Sequence, residues 1–190
     1  MWLDKVKAVY GDNLQIRWKN FQLEQANSKE GPDWKVWEQP NEHQARSLLA
    51  AMAGEAARRQ GDEAHERFHL ALLTARHGGE GRIPLNEEEP IVRLGEEAGL
   101  DAGKLREDLR DRSLLRIVGD DHTEAAREHG VFGTPTFVFE NGNAGYLKTF
   151  IPPEEDSVGF FEHFVAITCH RSYIGELKRP QPPWPKGAIG

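Results

Sequence analysis

The sequence is poor in cysteine. Cys169 is the single cysteine among 190 residues, which excludes a disulfide within the chain. It also excludes zinc ribbons, zinc fingers and iron–sulfur clusters, because these sites need two to four thiolates at short spacing. No metal site built from cysteine is therefore expected.

The sequence also lacks an excess of positive charge and a long apolar run. A net charge of −7 provides no basic surface for nucleic acid or acidic lipid, and no stretch approaches the roughly 18 apolar residues that span a bilayer. Residues Met1–Lys7 have neither the basic nor the apolar region of a signal peptide. We therefore expect a cytoplasmic protein that binds neither nucleic acid nor membranes.

The first 42 residues predict a helix, a strand and a loop. Apolar residues at helical spacing follow Trp2 and stop at Gly11, a residue type that ends helices. Residues 14–21 alternate between apolar and polar side chains, which is typical of a half-buried strand. The polar loop that follows carries Trp34 and Trp37, which either cover a site or pack on a neighbouring helix.

Residues 43–129 have the period of amphipathic helices. Glycines and capping residues divide this block into five helices, so we predict an all-helical subdomain. The expected features are a stripe of Ala45, Leu48, Leu49, Met52 and Ala56, a second helix from Asp62 to Arg76, caps at Asn86 and Asp101, and a last helix from about Leu114 to His129.

Residues 130–170 return to strands and then to a helix. β-Branched and aromatic residues at 136–139, the turn dipeptide Asn141-Gly142 and a second run at 146–150 predict a hairpin. An amphipathic helix ending near Cys169 follows. Residues 171–190 form a proline-rich tail, which favours an extended conformation.

This order of elements, together with the string Gly-Val-Phe-Gly-Thr-Pro-Thr-Phe-Val at 130–138, resembles the DsbA-like family. That family includes the FrnE-type proteins and the 2-hydroxychromene-2-carboxylate isomerases. The resemblance extends from Trp2 to about Ile167. It implies an α/β, thioredoxin-like fold with an inserted all-helical subdomain, in which 1–42 and 130–170 form the thioredoxin-like domain and 43–129 the insertion.

The resemblance also implies a site. The family has a cis-proline loop beside its redox centre, and by carry-over Gly133, Thr134 and Pro135 would line the place that receives a thiol or disulfide substrate, or glutathione. The family's first strand and its Cys-x-x-Cys pair would precede Met1. We therefore expect a thiol–disulfide oxidoreductase that is inactive as given, no resident cofactor, and a natural protein about 10–20 residues longer, by the length of a strand and a helix cap.

Two alternatives stay open within the same family resemblance. The first is a glutathione-dependent isomerase or a kappa-type transferase, in which a lone Ser or Cys would stand in place of the pair. The second is a redox-inactive binding module or a homodimer, in which a partner supplies the missing strand pairing.

A competing motif lies in the second predicted helix. His65-Glu66-Arg67-Phe68-His69 matches His-Glu-x-x-His, in which two imidazoles one turn apart bind zinc and a carboxylate activates water. Glu89, 20 residues after His69, would be the third ligand of a zinc peptidase. The simpler interpretation places both histidines on the polar flank of the helix and Glu89 in a first turn that favours acidic residues.

Overall fold

The computed structural model describes residues 2–31, 33–40, 47–78 and 81–178. The described chain is mostly helical, with one small antiparallel sheet, and contains no helix long and apolar enough to cross a membrane. The helices are α1 Trp2–Tyr10, α2 Leu23–Ala26, α3 Leu48–Arg59, α4 Asp62–His77, α5 Glu88–Glu97, α6 Ala102–Asp108, α7 Ser113–Glu128 and α8 Ser157–Thr168; the strands are β1 Thr136–Val138 and β2 Ala144–Tyr146. Short 3-10 turns occupy 11–13, 36–38 and 154–156.

The chain divides into two compact units. The sheet unit comprises Met1–Arg17 and Gly133–Gly190, and the helical unit comprises Trp18–Phe132. The predicted insertion at 43–129 lies inside the helical unit, which also contains residues 18–42.

The core of the helical unit is built from α3 to α7. Phe68, Ile91, Leu105 and Leu114 are fully buried there, each from a different helix. Full burial of such a side chain stabilises the fold by about 1.5–3 kcal/mol. The amphipathic pattern of the sequence thus corresponds to the buried faces of these helices.

The core of the sheet unit is aromatic. Trp2 on α1 makes an edge contact with Phe160 on α8, with ring centroids 5.2 Å apart, and Phe137 on β1 makes a similar contact with Phe164 at 4.8 Å. Side chains alternate between the two faces of a strand, so Val138, which is 43% exposed, lies on the face opposite to Phe137. One face of the hairpin is therefore covered by helices of its own unit.

Most predicted helices are confirmed, whereas one predicted helix cap and the bounds of one predicted strand are corrected. Asp101 caps α6 by accepting the Lys104 N–H at 3.0 Å, as predicted. Asn86 does not cap α5, because that helix begins one residue later, with Glu87 at the capping position. The return strand is Ala144–Tyr146 rather than 146–150, because the turn is short enough for pairing to resume at Ala144. Ala45 and the tail beyond residue 178 lie outside the described residues.

The predicted strand at 14–21 is wrong. Side chains still alternate there between half-buried and exposed, but no described strand pairs with this segment. Near its end the backbone is bonded to side chains of α7, since Asn20 N–H donates to Asp121 Oδ2 at 3.0 Å and Gln22 N–H, one residue beyond the segment, donates to His122 Nδ1 at 3.1 Å. A strand requires a hydrogen-bonded neighbour, which periodicity alone does not supply.

Trp37 packs on a neighbouring helix. A Cβ atom placed on Gly119 of α7 would lie 2.5 Å from Trp37 Nε1, so the indole lies directly on the helix backbone. Of the two interpretations of this residue, helix packing is the one that its surroundings support.

Candidate functional site

The loop Gly133–Pro135 is anchored on both sides. The Thr136 hydroxyl donates a hydrogen bond to the Gly133 carbonyl at 2.7 Å, and Leu147 N–H donates to the Pro135 carbonyl at 3.0 Å. The peptide bond between Thr134 and Pro135 is cis. The two hydrogen bonds, at Gly133 and at Pro135, hold the loop in one defined position at the start of β1.

The loop presents Thr134 and Pro135 to solvent. Both are exposed, whereas Gly133 is buried with its Cα facing the Tyr146 ring, so that a Cβ there would lie 3.2 Å from Tyr146 Cε2. Neither the amide nor the carbonyl of Thr134 is bonded to any residue in the described ranges. Of the three predicted substrate-binding residues, two are therefore accessible, and one of them has a free backbone amide.

The edge of β1 that faces away from β2, which we call its outer edge, also carries backbone groups without a strand partner in the described residues. Pro135, Phe137 and Phe139 turn their backbone groups toward β2, because Leu147 N–H donates to Pro135 and Phe139 N–H donates to Asn143. Backbone groups alternate in direction along an antiparallel strand, so those of Thr136 and Val138 point away from β2. Within the described residues they have no strand partner. Two outward positions, 136 and 138, thus lie along one edge of β1, and the exposed residue Thr134 precedes them in the chain.

Sequence reasoning identified the loop but not the edge. Residues 136–139 predicted a strand, and the Asn-Gly turn after them predicted that one edge of this strand pairs with the return strand of a hairpin. Whether the second side is covered depends on residues distant in sequence. The edge could therefore be found only from the backbone register.

Cys169 does not occupy the position that is typical of a redox-active cysteine. It is half-buried and follows the C-terminal end of α8, whereas reactive thiolates are commonly found at helix N-termini. Its Sγ lies 3.5 Å from Asn141 Nδ2, and its carbonyl accepts from Asn141 at 2.9 Å and from Asn143 at 2.6 Å. The residue therefore closes the hairpin turn against the end of α8.

The three predicted zinc ligands are not brought together. His65 and His69 stack with ring centroids 5.7 Å apart, and burial, followed by nearby positive charge, lowers the pKa of each to about 4. Glu89 instead forms a two-point contact with Arg106, at 2.6 and 2.9 Å. Among the residues that the structure describes, no three His, Cys, Asp or Glu side chains form a metal-binding group. The His-Glu-x-x-His match therefore has no assembled metal centre, and the placement of both histidines on a polar flank is wrong for His65, which is 4% exposed.

A part-buried polar cluster, which we call the Asn20 cluster, joins residues 19–20 to α3 and α7. The Asn20 amide nitrogen Nδ2 donates to Glu55 at 2.7 Å and to Asp121 at 3.1 Å. Lys19 Nζ lies 2.8 Å from Asp121 and 2.9 Å from Glu124, and these bonds raise the Lys19 pKa. The carboxylates are thus paired within the protein, as buried charges generally are, which gives the cluster a structural role.

Comparisons with known proteins agree with this architecture. The sequence profile described as the DSBA-like thioredoxin domain matches residues 1–165. No curated protein matches the chain.

Proposed function

The chain belongs to the family of DSBA-like thioredoxin domains, and from this membership we propose that it binds extended, thiol-bearing polypeptides at the Thr134–Pro135 loop without exchanging disulfides itself. The proposal assigns to this chain the substrate-holding part of a thiol–disulfide oxidoreductase. Glutathione, a short thiol peptide, is a smaller ligand of the same chemical class.

The observation that carries the proposal is the free backbone of Thr134. An exposed residue whose amide and carbonyl are unbonded within the described part of the chain offers one donor and one acceptor to an extended peptide. Pairing of extended backbones at a sheet edge is a recurrent mode of peptide recognition. Thr136 and Val138 extend the same edge, so a ligand several residues long has further backbone groups to pair with.

The absence of exchange follows from the number of thiols. In thiol–disulfide exchange a thiolate attacks a disulfide, forms a mixed disulfide and expels one thiolate. A second protein thiol then attacks the mixed disulfide, which reduces the substrate fully and oxidises the protein. This chain has Cys169 alone, so the second step has no nucleophile within it.

The redox part is tested by insulin reduction with dithiothreitol. We expect the precipitation rate in the presence of the chain to equal the rate in buffer, and the Cys169→Ser variant to behave identically. Turnover above the buffer rate that survives Cys169→Ser would contradict the account, since it would require a group other than a protein thiol.

The binding part is tested by titrating the ¹⁵N-labelled chain with two probes, the capped peptide Val-Thr-Cys-Thr-Val and reduced glutathione. We expect shifts at the Thr134 amide and none at Gly54 in α3. Thr134→Pro, which removes the amide, should abolish the shifts in neighbouring residues, whereas Thr134→Ala, which keeps it, should preserve them. Equal binding by both variants would show that the backbone of Thr134 is not used.

The open edge of β1 favours a second candidate, a homodimer in which β1 pairs with β1 of another copy. Exposed strand edges are templates for such pairing. Sedimentation velocity over a range of concentrations should then show a dimer that Val138→Pro abolishes, because proline removes the outward amide, and that Val138→Thr preserves. A monomer at all concentrations would exclude this candidate and leave peptide binding untouched.

A further inference from the structure

His122 lies at a buried contact that the proposed function does not use. It projects from α7, is 7% exposed, and accepts the Gln22 N–H at Nδ1 over 3.1 Å. The Phe21 ring stacks on it with centroids 4.5 Å apart and an interplanar angle of 28°, and Trp37 approaches at 5.2 Å. The imidazole therefore holds two consecutive residues, Phe21 and Gln22, by a hydrogen bond and by stacking.

This hydrogen bond defines the state of the ring. A nitrogen that accepts a hydrogen bond carries no proton, so His122 is neutral and has its proton on Nε2. Protonation would place an N–H at Nδ1 directly opposite the Gln22 N–H. Gln22 is 3% exposed, so its amide would lose its acceptor without gaining water, and an unpaired buried donor is strongly unfavourable.

Gln22 connects this contact to its surroundings. Its carbonyl accepts the Ala26 N–H at 3.1 Å in the first turn of α2, and its Oε1 accepts from the Ser47 hydroxyl at 3.3 Å. Displacement of Gln22 therefore loosens the start of α2 and the contact to the residue before α3.

The charges near His122 oppose an imidazolium. Burial, and then the positive charge of Lys35, lower the His122 pKa. The carboxylates of Glu55 and Asp121 belong to the Asn20 cluster, where they bind Asn20 and Lys19. Among the described residues, neither forms a hydrogen bond with His122.

We propose that His122 is a proton-sensitive contact of the helical unit: neutral, it fastens Phe21 and Gln22 to α7, and on protonation it releases them while the rest of the unit stays folded. The release is a local opening and not a global unfolding. It is independent of peptide binding at Thr134.

Nuclear magnetic resonance of the ¹⁵N-labelled chain 1–190 tests the proposal directly. At about pH 7.5 a long-range ¹H–¹⁵N spectrum should show His122 as the neutral Nε2–H form. On acidification, the Gln22 amide should shift with the same midpoint as the His122 ring. Its hydrogen exchange, corrected for the intrinsic pH effect, should accelerate about tenfold, as expected for the loss of one buried hydrogen bond.

Variants separate this contact from general acid effects. His122→Gln retains an acceptor that does not titrate in this range, so it should remove the pH dependence of the Gln22 amide. His163→Gln, at an exposed position of α8, should leave that dependence unchanged. If His122→Gln does not fold, the wild-type titration still decides. An Nδ1–H tautomer at neutral pH, or Gln22 exchange that stays constant through the His122 titration, would overturn the proposal.

Discussion

Replacing either of two glycines in the middle of a helix by alanine should change the free energy of unfolding, but in opposite directions at the two positions. Gly119 lies in the middle of α7, and a Cβ atom there would be 2.5 Å from Trp37 Nε1 and 2.6 Å from Trp37 Cε2. Gly54 lies in the middle of α3, and a Cβ atom there would meet nothing within 4 Å. The two positions thus differ in the space available for a methyl group.

The magnitudes follow from two opposing effects. Alanine in place of glycine inside a helix stabilises by about 0.5–1 kcal/mol, because it restricts the unfolded chain. Forcing a methyl group into a well-packed contact costs about 1–3 kcal/mol. Gly54→Ala should therefore stabilise by about 0.5–1 kcal/mol, whereas Gly119→Ala should destabilise by up to about 2.5 kcal/mol, and by about 1 kcal/mol at mid-range, once the helix gain is subtracted from the packing cost.

Urea unfolding followed by circular dichroism measures both changes. The predicted difference of about 2 kcal/mol corresponds to a Tm difference of about 4–8 °C for a chain of this length. Tryptophan fluorescence should change in the folded state of Gly119→Ala only, because the indole of Trp37 must move. Equal stabilisation by both substitutions would refute the close packing of Trp37 on α7.

Three further substitutions or conditions test the packing and charge of the two units. Asp121→Ala removes the acceptor of a part-buried amide and of a lysine and should lower the free energy of unfolding by about 1–3 kcal/mol; a loss below about 0.5 kcal/mol, typical of a surface site, would contradict the burial of Asp121. Gly145→Ala brings a Cβ atom to 2.6 Å from the Thr168 side chain of α8 and should lower the free energy of unfolding in urea by about 1–3 kcal/mol. An unchanged urea midpoint would contradict this close contact. The pKa values of His65 and His69, lowered to about 4, predict that stability falls from about pH 6.5 to about pH 4, because the unfolded histidines take up protons first. A urea midpoint that is constant over this range would contradict the burial of the pair, and His69→Phe should reduce the slope.

The helices were predictable because their signals are local. Gly11, predicted to end the first helix, has a positive φ of 55°, a backbone conformation that glycine adopts at little cost. The cap of Asp101 likewise involves only the next three residues. Such features need no knowledge of the rest of the fold.

The strand at 14–21 failed for a complementary reason. Its side-chain period is present, but pairing depends on a neighbouring strand that periodicity does not reveal. The Asn20 cluster was missed similarly, because Asn20 and Asp121 are separated by 101 residues. Glu89 lies in the first turn of α5, as the simpler interpretation of the sequence has it, but its partner Arg106, 17 residues further on, could not be predicted from spacing.

The candidate site was predictable in part. The Gly-Thr-Pro string located the loop, and the resemblance assigned it a role. Which of its residues a ligand can reach depends on tertiary contacts, since Gly133 is buried against Tyr146 whereas Thr134 is exposed. Residue type does not distinguish these two outcomes.

The most direct test of the proposed function is the titration of the labelled chain with the peptide Val-Thr-Cys-Thr-Val, read at the amide of Thr134. The account predicts a saturable shift centred on Thr134 and extending to Thr136 and Val138, with no peptide disulfide formed or reduced by the chain during the experiment. Saturable binding that leaves these three amides unchanged, or no binding of the peptide at all, would contradict it.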